Sequence, residues 1–437
     1  MFKKNLGLVL AVAAATAHAV PDVRSDLTVH EWGTFTTVAG EDGRAVAWRP
    51  LAGPPDLPCF VERADLPPKF SFVTTVRMET PVIYFYAPQP LTVDVAVGFR
   101  EGLMTEFFPR PTSSGGGGPG LFARTAMSRL QWNGVKVLPG SAADYPFEDG
   151  PNHYYAARAA EAAPLQVGTQ REGFLFYRGV GGFELPLRAT VRPDLGLDLS
   201  NVGPDPVPAV MLFENQGGRI GFRTIRFPQT QFTIPSVTLV SDLASVRAAL
   251  LTMLIEEGLY PREAEAMMET WSGSWFEEGT RVFYLVPRPL VDQTLPLTVQ
   301  PVPGHVERVF VGRLEIATPR LLDELRRSLT AAGHETLAAH GRFLEPFGRR
   351  ILDGDLPGDE RARIVAALTA TAAASQARAS SLCETTTSSG TRVVEVGNLG
   401  QAATPPSGSM VEEAFNQAMT ASSRHSHALS ATSLSEP

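Results

Sequence analysis

The sequence predicts an α+β, β-rich protein: an antiparallel, β-sandwich-like N-terminal part followed by a mixed α/β part with an αα-hairpin. Three observations predict this. Short runs of β-branched and aromatic residues, separated by turn residues, recur from Asp26 to about Val240. At Ser241 the apolar spacing changes from strand-like to helix-like. Beyond Arg281 the two patterns alternate.

The chain opens with Lys3 and Lys4, an apolar run over Leu6–Ala15, and the string Ala17-His18-Ala19. A positive start, a short apolar stretch and small residues at a cut site are the three parts of a secretory signal peptide. Residues 1–19 are therefore expected to be cleaved, leaving a mature chain that begins near Val20. The apolar run falls well short of the roughly 20 residues that a spanning helix needs. No later segment is apolar enough either, so the expected product is soluble and exported, periplasmic or extracellular.

The β-rich region is expected over residues 20–240. Leu27 to Val38 is rich in β-branched and aromatic residues, with Gly33 where a bulge could fall. Pro81 to Tyr86 is a short apolar run that fits a strand buried on both faces. After the Pro88-Gln89-Pro90 turn, Leu91, Val93, Val95, Val97 and Phe99 alternate onto one side, and the two segments are expected to pair as a hairpin. Further strands are expected at Leu130–Leu138, Gly173–Arg178, Glu184–Val191, Val207–Phe213, Ile220–Phe227 and Phe232–Leu239. The stretch from Ser113 to Gly120, with four consecutive glycines, reads as a mobile loop. No Gly-Lys-Ser/Thr follows it, so it is no phosphate cradle.

The mixed region is expected over residues 241–379. Ser241 or Asp242 caps a helix whose Leu243, Val246, Leu250 and Leu254 repeat at helical spacing, and Gly258 ends it. Pro261 opens a second helix through Met267, Met268 and Trp271, which makes the αα-hairpin. Strands return at Arg281–Val286, Leu295–Val299 and Val306–Ile316, the first of them able to complete a sheet begun in the first part. Thr318 and Pro319 start a helix with Leu321, Leu322, Leu325 and Leu329 inward, and His334–Leu352 and Asp359–Ala374 read as helical. Residues 380–437 are dominated by small and polar residues and read as a largely disordered tail, apart from an apolar patch at Val393–Val396.

Removing Lys3 and Lys4 takes the net charge from −8 to −10. That argues against a nucleic-acid partner, which requires a basic face. Cys59 and Cys383 are the only cysteines, too far apart for a zinc site. An oxidising compartment would let them pair, but the low-complexity setting of Cys383 argues against a structural disulfide.

Two stretches resemble a group of uncharacterised exported bacterial proteins. One is His30-Glu-Trp-Gly-Thr-Phe-Thr36, with Arg77-Met-Glu-Thr-Pro81 after it. The other runs from Glu257-Gly-Leu-Tyr260 through Trp271, Trp275-Phe-Glu-Glu-Gly279 and Leu285-Val-Pro-Arg288 to Val311-Gly-Arg313. The resemblance spans roughly Leu27 to Pro319 and implies export and a shared fold. It implies no activity, cofactor or catalytic residue.

The chemistry must therefore be read from the residues. His-Glu-x-x-His is absent, as is Gly-x-Ser-x-Gly, and Gly179-Val-Gly-Gly182 lacks the third glycine of a dinucleotide fingerprint. His334 and His340 do not share a helix face, and His425 and His427 fall in the tail, so no metal site is expected. His30 and Glu31 are strand neighbours and so point to opposite faces, while Trp32 shares the face of His30. A structural histidine at a sheet edge competes there with a proton carrier. Glu277 and Glu278 follow Trp275 and Phe276, and a carboxylate against aromatic rings loses hydration and becomes a better acid donor. A glycosidase would need a second carboxyl about 5 to 9.5 Å away, for which Glu79, Glu31 and Asp94 are the candidates. The competing reading leaves the aromatics as core and both glutamates solvated. Arg77 and Glu79 alternate onto one face, where they form an ion pair or Arg77 holds a ligand carboxylate. Asn152-His-Tyr-Tyr155 is either the lining of a pocket or ordinary surface.

Two functions follow from this reading. The first is an exported β-rich binding or envelope-associated module, with a glycan or envelope component as partner and His30, Glu31, Trp32, Arg77 and Trp275 as binding candidates. The second is an exported hydrolase, with carbohydrate as its candidate substrate, that works through Glu277 or Glu278 with Glu79. Neither reading names a cofactor.

Overall fold

A computed structural model describes residues 25–51, 56–64, 73–116, 126–149, 152–330 and 341–371, together with the backbone of 392–396. The molecule is β-rich α+β, built around strand Ser25–Ala39. That strand is the fifth of nine in one sheet, ordered Arg219–Arg226, Ala209–Gln216, Gly279–Leu285, Pro303–Ile316, Ser25–Ala39, Val76–Tyr86, Leu175–Gly181, Gly102–Phe108 and Glu62–Arg63. Strands Gly279–Leu285 and Pro303–Ile316 come from beyond Ser241, so the mixed region completes the sheet that the β-rich region begins, as the pattern at Arg281–Val286 predicts.

Two expectations about pairing are corrected. Ser25–Ala39 and Pro303–Ile316 run parallel, in register from Thr28↔His305 to Ala39↔Ile316. A parallel pair needs a long connection, and here most of the chain lies between the two strands. Second, the hairpin after Pro88 does not form. Val76–Tyr86 belongs to the nine-stranded sheet, whereas Leu91–Arg100 pairs with Met127–Val137 and Leu297–Gln300 in a second sheet of six strands. Ile83 and Phe85 instead meet Val93, Val95, Val97 and Phe99 face to face in one buried core. Burying the apolar faces of two layers against each other removes more apolar surface from water than edge pairing would.

This sandwich core covers one face of the large sheet, and helices cover the other. Trp32, Val82, Tyr84, Val309 and Val311 pack there against Val246, Leu250, Met253 and Leu254 of helix Leu243–Glu256 and against Ala264, Met267 and Met268 of helix Pro261–Thr270. Asp242 caps the first helix by accepting from the backbone N–H of Ser245 at 2.7 Å, and Gly258 follows it at φ +124°. Leu243 is exposed, so its place on the inner face is taken by Met253. Farther along the same face, Val38 and Trp48 pack on Leu321, Leu325 and Leu329 of helix Pro319–Thr330 and on Leu344, Phe347 and Ile351 of helix Leu344–Leu352.

Gly33 makes the centre possible. The pairing with Val76–Tyr86 shifts register between Trp32 and Thr34, opposite Thr80 at φ +49°. A Cβ on Gly33 would stand 2.6 Å from the Phe310 ring.

Of the remaining expectations, a helix over 358–371 and a strand at Arg392–Val396, paired with Ala143–Phe147, are present. Ser113–Gly115 is a short strand beside Met127–Val137, and the glycines beyond Gly116 lie outside the described residues. So do residues 1–24, His334, His340, His425, His427 and the tail past Leu399. Cys59 is disulfide-bonded, where the sequence reading had favoured a structural disulfide less; Cys383 lies outside the described residues. Among the described residues no helix is long and apolar enough to cross a membrane.

Candidate functional site

Alternation along Ser25–Ala39 sends His30, Trp32, Thr34 and Thr36 to the helix-covered face and Glu31 to the sandwich face. His30 and Glu31 therefore serve different neighbourhoods. Glu31 is fully buried, bonded to Arg308 Nε at 2.5 Å and to the Tyr177 hydroxyl, and Arg308 reaches on to Asp292 at 2.7 Å. Each of its oxygens already has a charged or hydroxyl donor. It is a structural ion pair inside the sandwich.

His30 lies one row in from the open end of the face. Its neighbours across the ladder are Tyr84 and Glu307, with Tyr86, Thr28 and His305 in the row outside. Nδ1 meets Glu263 Oε2 at 2.8 Å. Glu263 is wholly buried and also accepts from the Tyr86 hydroxyl at 2.6 Å and from the Tyr260 backbone N–H at 2.8 Å. Glu263 thus meets three donors, and an acceptor oxygen on Nδ1 places the ring proton there. The imidazole packs against the rings of Tyr260 at 4.3 Å and Tyr86 at 5.5 Å, and Nε2 has no hydrogen-bond partner among the described residues. Burial, followed by the charge of Glu263, drives the Tyr86 phenol far above its ordinary value, so Tyr86 is a neutral donor at any working pH.

Beyond Tyr86 the face opens into a cleft of about 360 Å³, lined among others by Asp26, Thr28, Tyr86, Pro88, Glu161 and Pro164. Asp26 is exposed and has no ion-pair partner among the described residues; Glu161 stands 3.6 Å from Arg262.

The opposite end of the same face carries a belt of charge. Glu79 is fully buried, accepts from Thr36 Oγ1 at 3.0 Å and from Arg342, and forms an ion pair with Arg77, whose Nε lies 2.9 Å away. The pairing of Arg77 with Glu79 follows from their alternation in sequence. Asp56 takes Arg178 through both oxygens at 2.7 Å and lies 3.4 Å from Arg77 and 3.6 Å from Arg342. Burial pushes the Asp56 carboxyl up, but Arg178, Arg77 and Arg342 together hold it well below the ordinary carboxylate range. Burial and the neighbouring Arg77 in turn bring the Arg342 guanidinium down to about 9.

Two strands away, Glu315 accepts from Arg313 Nε at 2.5 Å and forms an ion pair with Arg281, whose Nε lies 3.0 Å away. Arg313 also binds Ser274 Oγ at 2.6 Å and Glu277 Oε1 at 2.9 Å. Arg281 donates to the carbonyls of Trp275, Glu277 and Glu278 at 2.7 to 2.9 Å, which pins the whole Trp275–Glu278 stretch to the sheet. Trp275 is buried, and its ring lies at 9° to that of Trp271 with centroids 6.4 Å apart. The aromatics are core, as the plainer sequence reading had it. Burial raises the carboxyls of both Glu277 and Glu278, against Arg313 in the first case.

Of the candidates, the structure therefore brings Arg77, Glu79, Trp275 and Glu277 onto one face, with His30 and Trp32 farther along it. Glu31 stands on the other face, and Asp94 belongs to the second sheet, where it accepts from the Gly134 backbone N–H at 2.7 Å. His153 is not a pocket wall: it stacks on Trp271 at 6.2 Å, and burial lowers its pKa. Among the described residues no three His, Cys, Asp or Glu side chains gather as metal ligands would.

Sequence reasoning missed Glu263, Asp56, Arg178, Arg308, Arg313 and Arg342. Tyr260-Pro-Arg-Glu263 carried a signal, because a glutamate at the third position of a helix serves as a cap, and here Glu263 does bond the Tyr260 N–H. Its bond to His30, 233 residues away, had none. No protein-family model and no curated protein matches the chain.

Proposed function

We propose that this is an exported, β-rich binding module that works in the periplasm or outside the cell. One observation carries the reading: two of the three carboxylates named for catalysis, Glu79 and Glu277, are already committed on the helix-covered face, while the third, Glu278, is exposed. Glu79 is ringed by Arg77, Arg342 and Thr36, and Glu277 is bonded by Arg313. A guanidinium at hydrogen-bond distance favours the ionised carboxylate and ties up the lone pairs that a nucleophile or base would use. The cleft at Tyr86, in contrast, is open and presents a carboxylate, a hydroxyl and an aromatic ring. Export is supported by the N-terminal charge and apolar pattern, by the resemblance of the His30-to-Phe35 string to exported proteins, and by the disulfide-bonded Cys59.

Two measurements test this. Mass spectrometry of the secreted protein is expected to give an N-terminus within a residue or two of Val20; an intact Met1 in active, folded protein removes the export reading. A screen of polysaccharides, peptides and esters is expected to show retention on a ligand without turnover. The hydrolase reading keeps one specific support, the upward push that burial gives the Glu277 carboxyl despite Arg313, which is the direction a general acid requires. Turnover that falls about 10²-fold or more in Glu277→Gln would favour it.

A further inference from the structure

The structure assigns the Tyr86 cleft as a saccharide-binding site that takes a neutral sugar ring; this rests on the binding-module reading. A sugar presents two chemistries at once: an apolar C–H face, which stacks on an aromatic ring, and vicinal hydroxyls, which carboxylates accept in pairs. The cleft supplies both. Tyr86 lines it, and the Tyr86 hydroxyl is turned away into the wall, donating to Glu263 Oε1 at 2.6 Å. T-shaped contacts with His30 at 68° and with Tyr260 at 76° hold the ring. A ring fixed at its hydroxyl and at its edges loses little rotational freedom when a ligand stacks on it, so ordering costs take little from the affinity.

The polar groups around it complete the match. Asp26 is exposed and without an ion-pair partner among the described residues, Thr28 brings a hydroxyl, and Glu161 lies on the same wall. Pro88 and Pro164 give flat apolar surface beside them. About 360 Å³ is at the lower end of what a small-molecule site encloses, enough for a sugar ring or two. No guanidinium lines the cleft; Arg262, outside it, is shared between Glu161 at 3.6 Å and Glu265 at 3.9 Å. An anionic sugar would meet Asp26 and Glu161 as like charges, so the neutral class is the one that fits.

The buried histidine gains a role here as a positioning residue. Glu263 holds His30 and Tyr86 together, so the dyad sets the angle of the platform without touching the ligand.

The test uses the full-length protein expressed with its leader and recovered after secretion, with no reductant added. Titration calorimetry is run against chitohexaose, cellohexaose, laminarihexaose and mannohexaose, with oligogalacturonate and spermidine as charged probes. At least one neutral hexaose is expected to bind in the micromolar to millimolar range. Tyr86→Ala and Asp26→Asn are each expected to weaken it tenfold or more. Asp26 is exposed, so its variant keeps the fold readable even if Tyr86→Ala proves unstable. His30→Gln is expected to weaken binding less than Tyr86→Ala, with the same ligand preference. Binding unchanged in Asp26→Asn and Tyr86→Ala overturns the site. Spermidine or oligogalacturonate bound in the cleft in place of any hexaose overturns the neutral-sugar class and leaves the module reading standing. A saccharide cleaved during the titration overturns that broader reading instead, and no binding of any hexaose at millimolar concentration overturns this proposal alone.

Discussion

Two ends of one sheet face handle buried charge in opposite ways. At the Thr36 end, guanidinium and carboxylate groups interlock: Arg281 and Arg313 on Glu315, Arg313 on Glu277, Arg77 and Arg342 on Glu79, and all three of Arg77, Arg178 and Arg342 around Asp56. At the Thr28 end a single carboxylate, Glu263, gathers a histidine, a phenol and a backbone N–H, and the face then opens to solvent. A fully paired belt specifies which layer docks where, because any slip of register would leave a buried charge alone. The dyad, with His30 Nε2 buried and unpartnered among the described residues, instead stands behind an open cleft. The same strand thus carries architecture at one end and the candidate binding surface at the other.

The contrast can be broken most strongly in the belt. Glu315→Ala leaves Arg281 and Arg313 without their shared carboxylate, and both are buried to within 1%. Removing one partner of such a network costs about 3 to 5 kcal/mol, so chemical denaturation is expected to show a loss of that size. A loss under about 1 kcal/mol would mean that water reaches the belt. Trp275→Ala opens a cavity beneath it and is expected to cost about 3 to 5 kcal/mol, with no matching loss from Glu278→Gln, whose carbonyl, not its carboxyl, binds Arg281.

At the other end His30→Gln should be milder. Glu263 keeps its Tyr86 and Tyr260 donors, so the expected cost is about 1 to 3 kcal/mol, the range for one lost buried hydrogen bond. A cost equal to that of Glu315→Ala would erase the distinction between the two ends.

Acid should divide the belt itself. The folded pKa of Asp56 is depressed, because Arg178, Arg77 and Arg342 outweigh its burial. Its contribution to stability is therefore complete above the unfolded value of about 3.9 and is lost as the pH falls below it toward the folded value. Asp56→Asn is expected to flatten the stability profile below about pH 4. Glu277 works with the opposite sign: its raised pKa means that ionisation costs the folded state stability as the pH rises past its unfolded value. Glu277→Gln is expected to lift the neutral-pH stability relative to pH 4, and identical profiles for the two variants would refute this division. The smallest effect is expected at the cleft rim, where Asp26→Asn should move the Tm by no more than about 2 °C.

Much of this architecture was legible in periodicity. The alternation of Leu91 to Phe99, the cap at Asp242, the stop at Gly258 and the restart at Pro261 are local facts, set by side-chain spacing and backbone conformation. The bulge expected at Gly33 falls instead on the facing strand, at Thr80 and Pro81. Alternation alone also placed His30 and Glu31 on opposite faces and Arg77 beside Glu79. Which strands become neighbours was beyond it. The missing hairpin after Pro88, and the parallel pairing of Ser25–Ala39 with a strand nearly three hundred residues later, arise from layer packing that no short window encodes.

The sequence by itself determined the α+β class, the faces of each strand and the ends of the helices between Asp242 and Thr270, because those depend on residues within a few positions of one another. Only the tertiary structure decided that His30 is oriented by Glu263, that Glu79 and Glu277 are held by arginines, and that Asp26, Tyr86 and Glu161 share a cleft. A charge finds its partner through space rather than along the chain: where burial removes water, each ionised group must meet whatever donor the packing of distant elements brings to it.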